Sequence, residues 1–404
     1  MHFKFRQRVV SLFLGSVIMV SAGIGTANAA ESVNPEEELL PSSIGENVLD
    51  RMLKQQEKDF ESKNPLRNKE ITKLTETDET VLFYRAMTEV DNRPLLDFNY
   101  EVSDVKVYKN KENQLFVEAY VVRKFQYFED GTETGFGDFI KLQINKSSKK
   151  MAQETAKISS SPIESDSVDN APVSNIEKEV QLLSISSEKD SEISADEFLE
   201  NYKKEKNKEP ESVTPEQTEE GQQSALKTSS VQKAVYSAAA SYTYNRSKSV
   251  YYATTHALNP NTRYPYFASA GDCTNFVLQS LHAGDIPMMG DWFMRKGSDG
   301  VWKYGYSWIH ADEFRKYLLQ TGGILMKTMP NTYSNAQLGD IYHYDARNKF
   351  GLPITDGVME HAAIVTKKTS GQVLVSYHTT NRLNVPQEYY SAQEGGVRYL
   401  SHIY

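Results

Sequence analysis

Over the first third of the chain, the spacing of apolar residues changes once, from that of a helix to that of strands. Residues 44–63 place Leu49, Leu53 and Phe60 along one helical face. Four strand-like stretches follow, namely Thr80–Met87, Tyr100–Lys109, Gln114–Phe128 and Phe139–Asn145. A helix followed by an antiparallel meander predicts a small α+β domain over residues 40–146, with the helix on one sheet face. This stretch holds neither histidine nor cysteine, so a spacer, binding or packing role is predicted for it.

The hydrophobic pattern fades over residues 147–233. Between residues 164 and 222 the chain has 17 Asp and Glu against 6 Lys, and Ser is frequent. Such a segment buries too little apolar surface to offset its ordering entropy, which predicts a disordered acidic Ser/Glu-rich linker. Only Ala195–Lys206 has the pattern of a short charged helix.

A periodic pattern returns in the final domain, residues 234–404. Helices are predicted at Ala234–Leu258, at the segment that starts near Asp272 and stops at Gly284, and at His310–Gln320. Strands are predicted at Asp340–Tyr344, Glu360–Thr366, Gln372–His378 and Val397–His402. The pattern predicts a second α+β unit.

Residues 1–29 have the features of a signal peptide. Lys4, Arg6 and Arg8 precede an apolar run over Val9–Gly25, and Ala27-Asn28-Ala29 supplies a cleavage site. No second apolar stretch is long enough to span a bilayer. The expected product is secreted or held at the cell surface, with no membrane contact after cleavage.

The net charge and the cysteine count argue against several kinds of function. The net charge of −9 comes mainly from the linker, and no basic stripe predicts nucleic-acid binding. Cys273 is the single cysteine, so an exported chain has no internal disulfide. No H-E-x-x-H motif and no second cysteine is present, so neither a metal nor another cofactor is expected.

Cys273 is placed where a helix begins. Asp272 is a suitable N-cap residue, and Phe276, Val277 and Leu281 recur at helical spacing after it. The positive end of the helix dipole favours a thiolate, the nucleophilic form of cysteine. The alternative is a small buried side chain without chemistry.

Two histidines flank a predicted hairpin downstream. If the four residues from Lys368 to Gly371 close it, His361 lies directly opposite His378 on one face. A slip of one residue would place them on opposite faces. A cysteine at a helix start, a histidine at a strand start and a polar brace on the next strand outline a papain-like triad. Asn381 is an alternative brace.

Several aromatic residues are candidates for substrate binding. Tyr266 precedes the cysteine closely, and Trp308 belongs to a tryptophan-rich stretch that would line a groove. Core packing explains either of them equally well.

The order of these motifs resembles a known family. Tyr244-Asn245-Arg246, Asp272-Cys273-Thr274-Asn275-Phe276, Leu338-Gly339-Asp340-Ile341, His361-Ala362-Ala363-Ile364-Val365 and His378-Thr379-Thr380-Asn381 occur in that order. The stretch from Ser241 to Tyr404 thereby resembles the putative amidase domain of Gram-positive secreted proteins, which is similar to CHAP and NlpC-type cell-wall hydrolases. One departure is Gly284-Asp285, where family members usually carry two glycines.

The resemblance implies a papain-like fold and hydrolysis of amide bonds in peptidoglycan. It implies Cys273 as nucleophile, His361 as base and His378 as brace. The expected protein is a secreted cysteine amidase or stem-peptide endopeptidase, with peptidoglycan or its stem peptide as substrate. The alternatives are a non-catalytic cell-wall-binding module on the same fold and a cysteine protease that acts on protein.

Overall fold

A computed structural model describes residues 38–61, 79–144, 180–186, 193–208, 243–267, 271–288, 290–320, 326–346, 355–369 and 371–404. The predicted signal peptide and most of the predicted linker lie outside these ranges. None of the helices within them is both long and apolar enough to cross a membrane. The described part has an α+β structure built on a large antiparallel sheet.

The N-terminal elements follow the predicted order with two exceptions, an additional short first strand and a helix in place of the first predicted strand. They are β1 (Glu38–Leu40), α1 (Ser42–Glu61), α2 (Glu79–Arg85, continued by a π-helical turn at Ala86–Val90), β2 (Leu95–Lys109), β3 (Leu115–Tyr127) and β4 (Glu133–Ile144). The predicted helix and the last three predicted strands are confirmed. The strand predicted at Thr80–Met87 is wrong, because this stretch is helical and buries Leu82, Phe83 and Met87. A short apolar run fits either a strand or a buried helix.

Two segments inside the predicted linker have regular structure. Strand β5 (Val180–Ser186) pairs with β4, and helix α3 (Ala195–Lys206) occupies the predicted helical stretch. Ser194 caps α3 by accepting a hydrogen bond from the Glu197 N–H at 3.2 Å. Phe198 and Tyr202 are buried against the core. The helix predicted at Ala195–Lys206 is therefore confirmed, whereas strand β5 lies in a stretch that was predicted to be disordered.

The C-terminal elements begin with helices and end in strands. They are α4 (Arg246–His256), α5 (Cys273–Ala283), β6 (Met294–Lys296), β7 (Trp302–Tyr304), a 3-10 turn (Tyr306–Trp308), α6 (Ala311–Gln320), β8 (Met326–Met329), β9 (Ile341–Asp345), β10 (His361–Thr369), β11 (Gln372–Tyr377), β12 (Asn381–Pro386), α7 (Glu388–Glu394) and β13 (Val397–Ile403). The cysteine helix and the four predicted strands are confirmed. Strands β6, β7, β8 and β12 and helix α7 were not predicted.

Eleven strands of the described part form one antiparallel sheet. Its order is β1-β2-β3-β4-β12-β11-β10-β9-β13-β8, and β5 pairs with the second half of β4. Strand β12 pairs with the first half of β4, with Asn381 opposite Gly137 and Arg382 opposite Phe136. The N-terminal meander and the C-terminal strands therefore share one sheet, whereas the sequence predicts two domains held by a tether.

The two faces of the C-terminal strands carry separate apolar clusters. On one face, Ala362 and Ile364 of β10 pack in a cluster with Phe276 of α5. On the other face, Ala363 and Val365 pack in a cluster that includes side chains of α2, α3 and α7. Because side chains alternate along a strand, odd and even positions of β10 have different surroundings.

Residues of two family-like motifs hold α4 against the strands. The Arg246 guanidinium binds the buried Asp340 carboxylate at 2.7 Å, and the Tyr244 hydroxyl donates to the Gly339 carbonyl at 2.8 Å. Asn245 caps α4 by accepting from the Lys248 N–H. Asp285, at the departure from the family pattern, has φ 70°, a conformation in which glycine is the default residue. These contacts are structural.

The burial of His343 on β9 makes the free energy of unfolding depend on pH. It is fully buried, and its Nδ1 lies 2.9 Å from Ser401 Oγ. Desolvation, and to a smaller extent Arg315, lower its pKa well below 6.5. The unfolded chain therefore takes up a proton below about pH 6.5 that the folded chain does not, with a slope near 1.4 kcal/mol per pH unit. We expect the unfolding free energy to fall from pH 6.5 downward, and a His343→Phe variant to lose that part of the slope in urea titrations. An unchanged slope in the variant would contradict this.

Candidate functional site

Cys273 is the first residue of α5, as the sequence predicts. The helix is fixed by Phe276, Val277 and Leu281, each of which is fully buried. The Cys273 side chain is 6% exposed, and its Sγ lies 3.7 Å from Thr274 Oγ1. Its position in the first turn places the thiol at the positive end of the helix dipole, which favours the thiolate.

Asp272 occupies the N-cap position but does not cap the helix with its side chain. Its Oδ1 accepts hydrogen bonds from the Phe267 N–H at 2.9 Å and from Asn275 Nδ2 at 2.7 Å. Its Oδ2 lies 2.7 Å from Nδ1 of His378. The side-chain cap expected from sequence is therefore wrong, because the carboxylate is used to bind a histidine.

His378 follows β11 and lies over the start of the cysteine helix. Its ring stacks on Phe276 with centroids 4.1 Å apart, and it is 1% exposed. Its Nε2 lies 2.8 Å from the His256 carbonyl oxygen at the end of α4. The two ring nitrogens therefore face two acceptors, the Asp272 carboxylate and a main-chain carbonyl oxygen.

His361 lies on the other face of the sheet. Thr369 pairs with Gln372, so two residues separate β10 from β11 instead of the predicted four. A β-bulge at Thr366 then shifts the register, and Ile364 lies opposite Ser376. In this register the partner position of His378 is Ala362 rather than His361. The predicted placement of His361 and His378 on one face is therefore wrong.

The bulge is fixed by buried polar contacts. Thr366 Oγ1 lies 2.9 Å from Ser376 Oγ and donates to Asn384 Oδ1 at 2.7 Å. The surroundings of His361 are aromatic: its ring stacks on Tyr390 at 4.1 Å and meets the edge of Tyr377 at 4.7 Å. His361 therefore belongs to the packed face opposite to the one on which His378 contacts α5.

The other predicted site residues divide into two groups. Tyr266 is half-buried, and its ring lies edge-on to His378 at 5.6 Å. Asn381, the alternative brace, accepts from the Tyr266 hydroxyl at 3.0 Å and donates to the Tyr120 hydroxyl at 2.7 Å. Trp308 is fully buried, and its Nε1 donates to Asn275 Oδ1 at 2.8 Å. It supports the helix start from inside the core and is not exposed to a substrate.

Sequence reasoning missed three contributors to the site. Thr379 has φ 81°, a strained conformation for a β-branched residue, and its hydroxyl accepts from the Asp272 N–H at 2.7 Å. The His256 carbonyl binds His378 Nε2, and the Tyr120 hydroxyl accepts from Asn381 Nδ2. Of these three, only Thr379 has a signal in the sequence, because it directly follows His378. Nothing in the sequence distinguishes Tyr120 from the other residues of the meander. No group of three His, Cys, Asp or Glu in the described ranges is arranged to hold a metal ion.

Comparison with known proteins relates the chain to bacterial sequences. A family model described as "Putative amidase domain" matches residues 243–400. The uncharacterized protein YjcM of Bacillus subtilis (strain 168) is 38% identical over 411 residues, which cover 95% of each chain. The uncharacterized protein YhbB of the same strain is 30% identical over 138 residues, 33% of this chain and 40% of that protein. No solved structure matches.

Proposed function

The chain belongs to one family with YjcM of Bacillus subtilis and carries a putative amidase domain, and from this premise we propose that it is a secreted cysteine hydrolase that cleaves an amide bond in bacterial peptidoglycan. The family match indicates amide-bond hydrolysis. The observation that carries the cysteine mechanism is the buried Asp272–His378 pair, whose carboxylate belongs to the residue directly before Cys273 at the helix start.

Cys273 is the proposed nucleophile. The Cys273 thiol gives its proton to His378, for which the ring turns one nitrogen away from its Asp272 or His256 acceptor. The thiolate attacks the amide carbon, and N–H groups of the first turn of α5 stabilise the oxyanion. The carbon–nitrogen bond then breaks, and the leaving amine takes that proton from His378. Water hydrolyses the thioester, returns a proton to His378 and releases the thiolate. A cysteine helix packed on an antiparallel sheet that carries the histidine is the papain-like arrangement we propose.

His378 is the proposed partner of the thiol. Cys273 and Phe276 are three residues apart on α5, a spacing that puts them on neighbouring parts of one helix face, and Phe276 carries the His378 ring. The His378 ring binds the Asp272 carboxylate, whose charge would otherwise oppose a thiolate. We assign His361, the base implied by the resemblance, to packing on the opposite face.

A half-exposed aromatic edge near the thiol suits a glycan or stem-peptide substrate. The Phe267 ring, whose backbone binds Asp272, meets Tyr304 at 5.3 Å, and Tyr304 is 37% exposed. The Tyr266 ring lies edge-on to His378. Aromatic rings supply contact area at low entropic cost, and their polar tips supply hydrogen bonds.

The pH dependence of Cys273 alkylation tests this assignment. No other thiol competes, since Cys273 is the only cysteine. We expect the midpoint of the alkylation rate to lie below about pH 8.5, the reference pKa of cysteine. His378→Ala should raise the midpoint by about one unit or more, because it leaves Asp272 unpaired. His361→Phe, which keeps an aromatic ring against Tyr390, should leave it unchanged.

A midpoint that His361→Phe raises and His378→Ala leaves unchanged would show that His361 is the base. A slow reaction that neither variant affects would show a structural cysteine, and the proposal would fail.

The substrate class is tested by digestion. The wild-type protein should release new amino groups from purified sacculi and leave a denatured protein substrate intact. Sedimentation with sacculi without release would favour a wall-binding module, and cleavage of the denatured protein would favour a protease.

A further inference from the structure

Tyr120 comes from the N-terminal meander, yet its hydroxyl lies between the two segments that hold His378. Its Oη donates to the Leu258 carbonyl and accepts from Asn381 Nδ2 at 2.7 Å. Leu258 lies two residues after His256, whose carbonyl binds the imidazole Nε2. One hydroxyl therefore joins the end of α4 to the start of β12.

The second arm of this contact also reaches His378. Asn381 accepts from the Tyr266 hydroxyl at 3.0 Å, and the Tyr266 ring lies edge-on to His378. The same hydroxyl of Tyr266 donates to the Thr379 carbonyl at 3.2 Å. The His256 carbonyl and the Tyr266 ring both border His378, and they are linked to the Tyr120 hydroxyl through Leu258 and Asn381.

We infer that Tyr120 is a positioning residue for His378, and that the N-terminal meander is a working part of the hydrolase site. This inference rests on the proposed function for its catalytic meaning. It assigns to residues 95–144 a role other than spacing or packing.

The meander is shaped to deliver this hydroxyl. Asn381 pairs with Gly137 across the β12–β4 junction, and a Cβ at Gly137 would collide with the Tyr120 hydroxyl. Tyr120 is 6% exposed, and burial raises its pKa, so the hydroxyl remains a donor over the working pH range. A buried hydroxyl with both a donor and an acceptor partner fixes the distance between them.

Tyr120→Phe in the full-length protein removes only the hydroxyl. We expect a higher midpoint pH for Cys273 alkylation and about tenfold slower hydrolysis of sacculi through kcat, with KM within about twofold, as the loss of one buried hydrogen bond predicts. The matched control is Tyr108→Phe, which removes a hydroxyl bound to Glu118 at 2.6 Å in the same meander. The control should match the loss of unfolding midpoint but leave alkylation and kcat at the wild-type values.

The pH titration of the His378 ring, followed by NMR in both variants, separates this inference from the proposed function. A titration altered by Tyr120→Phe and not by Tyr108→Phe supports positioning, whether or not the thiol proves reactive. A reactive wild-type thiol whose profile and His378 titration are unchanged in Tyr120→Phe overturns the inference and leaves the proposed function intact.

Asn381→Ala provides a second route if Tyr120→Phe does not fold. The His378 titration of the Asn381 variant would then test the Tyr120–Asn381 contact, and a titration equal to the wild-type one would overturn the inference. Where both single variants fold, their effects on kcat should be less than additive in the double variant, because they interrupt one chain of contacts. Full additivity would overturn the inference.

Discussion

Replacing Cys273 by alanine is expected to abolish amide hydrolysis, with a loss of about four orders of magnitude or more in kcat. Without the thiol no acyl-enzyme forms, and the remaining helix dipole and His378 can only orient a water molecule. Cys273→Ser should be nearly as inactive, because a hydroxyl at this position is far less acidic than a thiol.

The folded structure should tolerate either change. Cys273 is small and is the first residue of α5, and its Sγ lies 3.7 Å from Thr274 Oγ1. We expect the unfolding free energy of Cys273→Ala to change by about 1 kcal/mol or less. The measurement is release of amino groups from sacculi, together with urea unfolding of the same preparations.

Ser280→Ala is the matched control on the same helix. Ser280 is fully buried, and its hydroxyl donates to the Phe276 carbonyl at 2.9 Å, so its loss perturbs α5 without touching the thiol. It should keep most of the activity. Hydrolysis that survives in Cys273→Ala would exclude the cysteine mechanism, whereas loss in both variants would point to helix integrity instead.

Local patterns in the sequence were sufficient for the cysteine helix and for most strands. The recurrence of Phe276, Val277 and Leu281 predicts the face that α5 buries, and the structure buries all three. Alternation predicts β3 and β4 in the meander. These features depend on neighbours a few residues away, so one sequence contains the information.

Features that depend on pairing between distant residues were not predictable. The bulge at Thr366 shifts the hairpin by one position, and this one residue decides whether His361 or Ala362 shares a face with His378. No local signal marks it, because its hydroxyl is fixed by Ser376 and Asn384 on other strands. The role of Tyr120 likewise follows only from the β4–β12 junction.

Arg382→Met is expected to destabilise the protein by about 3–5 kcal/mol, since it removes a buried cation that binds both Asp138 and Glu79. The Arg382 guanidinium is fully buried between Asp138, at 2.9 Å, and Glu79 of α2. Asp138 also binds Arg123 at 2.8 Å. This buried charge group joins α2, the meander and β12, which carries Asn381 of the site.

A matched exposed pair shows how much of the effect comes from burial. Lys248 and Asp285 form an ion pair whose side chains are 58% and 49% exposed. Lys248→Met should change the unfolding free energy by at most about 1 kcal/mol, because exposed pairs are weak. A similar loss in both variants would show that burial of the Arg382 group has no special cost.

The same charge group tests whether the two halves of the chain fold together. All three tryptophans lie in the C-terminal part, at positions 292, 302 and 308, so their fluorescence reports on that part alone. Glu79→Gln, in the N-terminal part, should shift the fluorescence transition, and its effect should be coupled to that of Arg382→Met by about 1–3 kcal/mol. Because β4 and β12 are paired in one sheet, circular dichroism and fluorescence should give one unfolding midpoint. A fluorescence midpoint that is the same in Glu79→Gln and in the wild type would mean that the C-terminal part unfolds on its own. The meander could then be removed without loss of the site.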